Sequence, residues 1–233
     1  PGGVTWVLDD RIIGTTVQGW TGLGNNPIDM WCIGIAQNNR GQLLWQKSWQ
    51  PPPGELSIDD SAASSEENLF LLWAKEPRQI FGFDTQTGNL KWGPTESQHY
   101  LGIFDTYEVI AYGKIISARM SGIVYCYDVN TGNLDWTYEA NDEFTEILWA
   151  DNFAVRPLFV TDGKVYLGHS EHSPVDPKSR GAPFVCLDVE TGDEVWRIDG
   201  AFRVTDWGGR PIIGDSVIAA MDTYDQRIYA IGK

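Results

Sequence analysis

The chain has 233 residues, 42% apolar and 21% charged, a balance that excludes intrinsic disorder and supplies side chains for a sizeable core. Its 17 basic and 32 acidic residues give a net charge of −15. That charge excludes a long basic face for nucleic acid and reads as a solvated acidic surface, with cation binding and salt adaptation as sharper alternatives. No run approaches about 18 consecutive apolar residues, so the sequence contains no transmembrane segment; a signal peptide or anchor outside it stays open.

In chain order, short apolar alternations bounded by Gly, Pro, Asn and Asp predict strands throughout. The first unit, about 4–50, pairs 4–8 with 11–18 through an Asp9-Asp10 turn, then adds 29–36 and 42–49 after a Gly/Asn-rich connection. The second, about 51–94, begins irregularly: 51–68 either carries a short first strand near Leu56 or loops across one face, before strands at 69–74, 79–84 and 90–92. The third, about 106–140, is the most regular, with strands at 108–112, 115–120, 123–128 and 134–139. The fourth, about 154–200, repeats it at 158–161, 165–168, 183–188 and 194–199, with extra length in 141–156 and 169–181. The fifth, about 210–233, has strands at 211–213, 216–221 and 226–231 and lacks a fourth.

One phrase recurs across these units. Residues 81–92 read Phe-Gly-Phe-Asp-Thr-Gln-Thr-Gly-Asn-Leu-Lys-Trp, 125–136 read Tyr-Cys-Tyr-Asp-Val-Asn-Thr-Gly-Asn-Leu-Asp-Trp, and 185–196 read Val-Cys-Leu-Asp-Val-Glu-Thr-Gly-Asp-Glu-Val-Trp. Each is a strand, a turn and a second strand ending in Trp. Asp84, Asp128 and Asp188 are placed to accept from backbone N–H groups two residues on, and Gly88, Gly132 and Gly192 to take the positive φ such a turn requires. The glycines are spaced 47, 44 and 60 residues apart from Gly41 onward, and units of about 40–50 residues with four short strands are a propeller signature.

The pattern small-x-Asp-x-x-Thr-Gly-x-x-x-Trp resembles the tryptophan-docking motif of pyrroloquinoline-quinone (PQQ)-like β-propeller repeats. Copies at Gly82–Trp92, Cys126–Trp136 and Cys186–Trp196 match closely. Two are degraded: Gly34–Trp45 has one extra residue and Ala36 in place of Asp, and Ala230 is followed by Gly232 where Asp belongs. The resemblance spans the chain and implies an all-β propeller of four-stranded antiparallel blades. About five blades fall within the chain, the last incomplete, as part of a seven- or eight-bladed propeller, with a self-closed five-blade ring as the alternative. It also implies that Trp45, Trp92, Trp136 and Trp196 pack between adjacent blades. The small residues Gly34, Gly82, Cys126, Cys186 and Ala230 then leave slots for rings from a neighbouring unit. Cys32, Cys126 and Cys186 read as buried free thiols.

Several residues are candidate sites. Trp149-Ala-Asp-Asn-Phe-Ala-Val-Arg156 and Arg203-Val-Thr-Asp-Trp207-Gly-Gly-Arg210 precede the first strands of units four and five, so Trp149, Arg156, Trp207 and Arg210 form a possible ligand or partner face at a channel mouth. Against this, the arginines can simply pair with Asp151 and Asp206. His169, His172 and Asp176 offer a weak metal pattern, and the acidic run Asp59, Asp60, Glu66, Glu67 lacks the spacing of a calcium loop. His99 has no partner readable from the sequence.

For function, the resemblance includes quinoprotein dehydrogenases, which hold PQQ with Ca²⁺. Their vicinal disulfide is absent here, and no hydrolase triad or phosphate loop appears. The reading is therefore a non-catalytic interaction scaffold with protein partners and no catalytic, cofactor or metal residues. Its placement outside the cytoplasm (periplasmic, secreted or cell-surface) is implied by the resemblance alone. A carbohydrate-binding propeller is the alternative, kept alive by Trp6, Trp20, Trp31, Trp49, Trp73, Trp149 and Trp207 if several share an exposed face.

Overall fold

The computed structural model describes residues 2–17, 19, 24–99, 108–119, 121–141, 155–169, 182–202, 211–221 and 227–232, and among these it contains strands and turns but no α-helix. They form antiparallel sheets in which sequence neighbours are spatial neighbours. The first sheet runs β1 (Gly3–Val7), β2 (Arg11–Thr15), β3 (Ile28–Gly34), β4 (Leu43–Trp49). The second runs β5 (Ile58–Ser64), β6 (Leu69–Ala74), β7 (Gln79–Asp84), β8 (Leu90–Trp92). The third runs β9 (Glu108–Ala111), β10 (Lys114–Ala118), β11 (Ile123–Asp128), β12 (Leu134–Glu139). The fourth runs β13 (Val155–Thr161), β14 (Lys164–His169), β15 (Ala182–Asp188), β16 (Glu194–Phe202). A three-stranded sheet of β17 (Ile212–Gly214), β18 (Val217–Met221) and β19 (Ile228–Gly232) follows.

The chain divides into two compact units: Pro1–Thr106 with Gly113–Ile115 and Tyr127–Leu134, and Tyr107–Tyr112 with Ile116–Cys126 and Asp135–Lys233. Burial explains which sequences form which strands. The inner strand β6, Leu-Phe-Leu-Leu-Trp-Ala, is buried at every position because both faces of its sheet are covered. The outer strand β12 alternates exposed and half-buried residues. The irregular stretch before β6 resolves as a true first strand: β5 pairs with β6 from Ile58↔Ala74 to Ser64↔Leu69, with a bulge between Asp60 and Ala63.

In the first unit the core gathers Ile13, Met30, Cys32, Trp45, Phe70, Leu72, Phe81 and Phe83, with Trp6 and Trp49 packed against it. Phe70 stacks on Phe83 at a centroid distance of 5.1 Å and lies parallel to Trp45 at 6.2 Å. In the second unit one cluster joins Ile116, Val124 and Cys126 to Val165, Leu167 and Val185, and another joins Tyr166, Phe184 and Cys186 to Ile218 and Ala220. These aliphatic layers bring β12 against the turn that ends β15, and β16 against β17–β19.

Candidate functional site

The recurrent turn is closed by its own side chains. Asp84 Oδ1 accepts from the N–H of Gln86 (2.8 Å) and Thr87 (2.7 Å) and from Thr87 Oγ1 (3.0 Å), while Thr87 Oγ1 accepts from Asn89 N–H (3.3 Å). Gly88 N–H donates to the Asp84 carbonyl at 2.8 Å, with φ +70°. Asp128 and Asp188 repeat the bonds with Asn130, Thr131 and Asn133, and with Glu190, Thr191 and Asp193. Burial pushes the Asp128 carboxyl up, but the Thr131 hydroxyl, the N–H groups of Asn130 and Thr131, and the Lys114 charge outweigh it and hold the group below its ordinary value.

Each turn receives a tryptophan. Trp45 Nε1 donates to the Thr85 carbonyl (3.0 Å), Trp92 to Val129 (2.9 Å) and Trp136 to Val189 (3.1 Å), always the residue after the motif Asp. The rings lie on Gly88, Gly132 and Gly192, where a Cβ would collide with the indole. Sequence reasoning did not identify these carbonyl acceptors, because every residue has a carbonyl, nor the Thr hydroxyl bonds, for which the Asp-x-x-Thr-Gly spacing was the available signal.

Two expectations about the slots are corrected. The ring over Gly82 and over Cys186 comes from its own sheet: Gly82 pairs with Trp92 and Cys186 with Trp196, and a Cβ on Gly82 would overlap the Trp92 ring. In the first sheet the equivalent small residue is Cys32, paired with Trp45, not Gly34. Gly34 occupies the Asp position, since Gly34 N–H donates to Gln42 O and Gly41 N–H to Gly34 O as Asp84 N–H does to Asn89 O and Gly88 N–H to Asp84 O. The loop that follows is longer than its counterparts, which displaced the alignment by two residues. Arg11, held by Asp10 at 2.7 Å, adds a bond to the Thr85 carbonyl at 3.1 Å, and this pairing keeps the Asp10 carboxyl below its usual range.

The three cysteines are buried and form no disulfide, and burial raises the thiols of Cys32 and Cys186 to about 11. They stand singly in separate sheets, and among the described residues no three His, Cys, Asp or Glu side chains gather as a metal donor set. Asp59 and Asp60 lie on β5, Glu67 Oε1 accepts from Gly113 N–H at 2.8 Å, and His99 is exposed.

Of the suggested ligand face, Arg156 lies on β13 and is buried at 2% exposure, so its guanidinium does not reach solvent; Trp149, Trp207 and Arg210 lie outside the described residues. So do His172, Asp176 and Trp20, and of His169 only the backbone is described. One sheet earlier in chain order stands a buried ion pair that residue spacing does not announce. Glu108 at the head of β9 meets Arg119 at 2.5 Å and Ser117 Oγ at 2.8 Å, with side-chain exposures of 0% and 3% for the pair. Among the other tryptophans, Trp73 is buried, Trp6 and Trp49 pack on the core, and Trp31 Nε1 donates to Gly2 O, so none of these four is an exposed binding ring.

Trp196 is set apart from the other motif tryptophans. Its ring meets Phe184 at 5.3 Å and Tyr166 at 6.0 Å, and it lines a cleft of 980 Å³ between β14, β16 and the β17–β19 sheet. Among the described residues no turn glycine covers it and no carbonyl accepts from its indole.

No curated protein matches the chain. BamB from Moraxella catarrhalis matches it structurally with a TM-score of 0.57 and 16% identity, over 99% of this chain and 57% of that one. The computationally designed Ika8 protein matches at 0.54 and 14%, over 100% and 70%, and a europium-containing methanol dehydrogenase at 0.51 and 14%, over 97% and 60%. The likeness is one of fold, and it identifies the four-stranded sheets as β-propeller blades. No helix among the described residues is long and apolar enough to cross a membrane. Residues 33–232 match the family described as outer membrane protein assembly factor BamB, and the chain belongs to that PQQ-like repeat family.

Proposed function

We propose that the chain is a non-catalytic propeller scaffold for protein interaction, acting outside the cytoplasm. The match of residues 33–232 to an assembly-factor family carries this reading. The site geometry supports it: the motif Asp and Thr side chains are taken up in closing their own turns, and the Trp45, Trp92 and Trp136 rings in reaching the turn of the next sheet, as structural docking residues would be. A rigid frame built this way presents its loops and sheet edges to a partner.

A dehydrogenase-like structure shares the fold, so the decisive comparison is with quinone chemistry. Native mass spectrometry of the chain with and without PQQ and Ca²⁺ tests it. The scaffold reading expects the same mass in both; a 1:1 quinone adduct that requires Ca²⁺ overturns it.

A further inference from the structure

The joint that links the sheets is nearly the same three times over. Trp45, Trp92 and Trp136 each donate to the carbonyl after a motif Asp and lie on a turn glycine, and the three receiving turns all read Asp-x-x-Thr-Gly. By this joint alone, any of the three tryptophans fits any of the three turns. Repeats joined in such a way are prone to dock in the wrong order as the chain folds. The bond from Arg11 does not remove the ambiguity, because the Thr85 carbonyl it meets has counterparts at Val129 and Val189.

Three contacts beside the joint are not repeated. The β5–β6 turn has four residues, Ser65 to Asn68, where the β9–β10 and β13–β14 turns have two. Its extra length reaches both ways. Ser65 Oγ accepts from Asp9 N–H of the first sheet at 3.2 Å, and Glu67 Oε1 accepts from Gly113 N–H of the third at 2.8 Å. Between the third and fourth sheets, the Tyr138 hydroxyl, two residues after Trp136, donates to Glu194 Oε2, two residues after Gly192, at 2.8 Å. The first and second sheets have Lys47 and Pro94 at the position of the tyrosine, and the second and third have Leu90 and Leu134 at that of the glutamate. Each wrong docking then forfeits a contact. The first sheet laid on the third finds no Ser65 and leaves Gly113 without Glu67; the second laid on the fourth sets Pro94 against Glu194; the third laid on the second sets Tyr138 against Leu90. We infer that Ser65, Glu67 and the Tyr138–Glu194 pair specify the order in which the sheets dock, while the tryptophan joint supplies the common attachment.

The test is refolding from urea, read by ¹⁵N NMR of the indole N–H groups. A misordered chain puts Trp45, Trp92 or Trp136 on the wrong turn and gives a second set of indole resonances. Glu67→Ala combined with Tyr138→Phe leaves the three joints intact and should make that set at least about fivefold more populated than in the unsubstituted chain, the factor one ordinary hydrogen bond contributes. Each substitution alone should raise it less, and Glu67→Gln, which keeps an acceptor for Gly113 N–H, should not raise it. Arg11→Ala removes a bond at the joint itself and should lower the urea midpoint without populating the second set. Should the double variant fail to refold, the single variants decide by the same criterion. One set of resonances in the double and both single variants overturns the inference, and so does a second set that Arg11→Ala raises as much as they do.

Discussion

Gly132 is held to glycine by two independent constraints, a φ of +70° and the Trp92 ring lying where a Cβ would be. Gly113 has nearly the same φ, +71°, with open space around it, so the two positions separate backbone strain from collision. Gly113→Ala is expected to cost about 1 kcal/mol and Gly132→Ala about 2–4 kcal/mol, read as the shift in urea midpoint at constant slope. Equal losses would show that the ring yields freely. Asp128 makes a prediction of opposite character, one of pH. Its folded-state pKa is depressed, so its stabilisation is present above the unfolded value near about 3.9 and is lost as pH falls through the folded value. Asp128→Asn should lower stability at pH 7 and flatten the acid limb of a stability-against-pH curve below pH about 4. An unchanged acid limb would remove the carboxylate from the account.

At the scale of elements, the hairpin turns differ in how well their residues suit them. The turns Tyr112-Gly113 and Asp162-Gly163 have positive φ at both positions with glycine second, as a two-residue turn of this hand prefers. The β17–β18 turn places Asp215 at +47° and Ser216 at +66° without glycine. Ser216→Gly should therefore raise stability by about 1 kcal/mol, measured by thermal or urea unfolding; a loss would mean the serine side chain makes a contact worth more than the strain. The strands of the third and fourth sheets were legible because alternation and punctuation agree there. The first sheet misled the alignment because its β3–β4 loop is longer and lacks the Asp that marks the position, which only the backbone pairing of Cys32 with Trp45 reveals. The buried Glu108–Arg119 pair was illegible for another reason. A charged residue at a strand end reads as exposed until the sheets that cover it are placed.

For the molecule as a whole, a chain of the assembly-factor family is held together by a repeated joint in which indole, carbonyl and glycine meet. The fold was readable from the recurrence of that joint's residues. Of the suggested ligand face only Arg156 lies among the described residues, and its burial was not legible because arginine beside tryptophan signals packing as readily as binding. The joint predicts a contrast among four tryptophans that each follow a turn glycine by four residues. Indole hydrogen exchange, followed by ¹⁵N NMR with assignments from single Trp→Phe variants, measures it directly. The side-chain N–H protons of Trp45, Trp92 and Trp136 should exchange slowly, and that of Trp196 at a rate set by solvent. Four indoles exchanging alike, or Trp196 protected with the others exposed, would contradict the docking geometry on which the account stands.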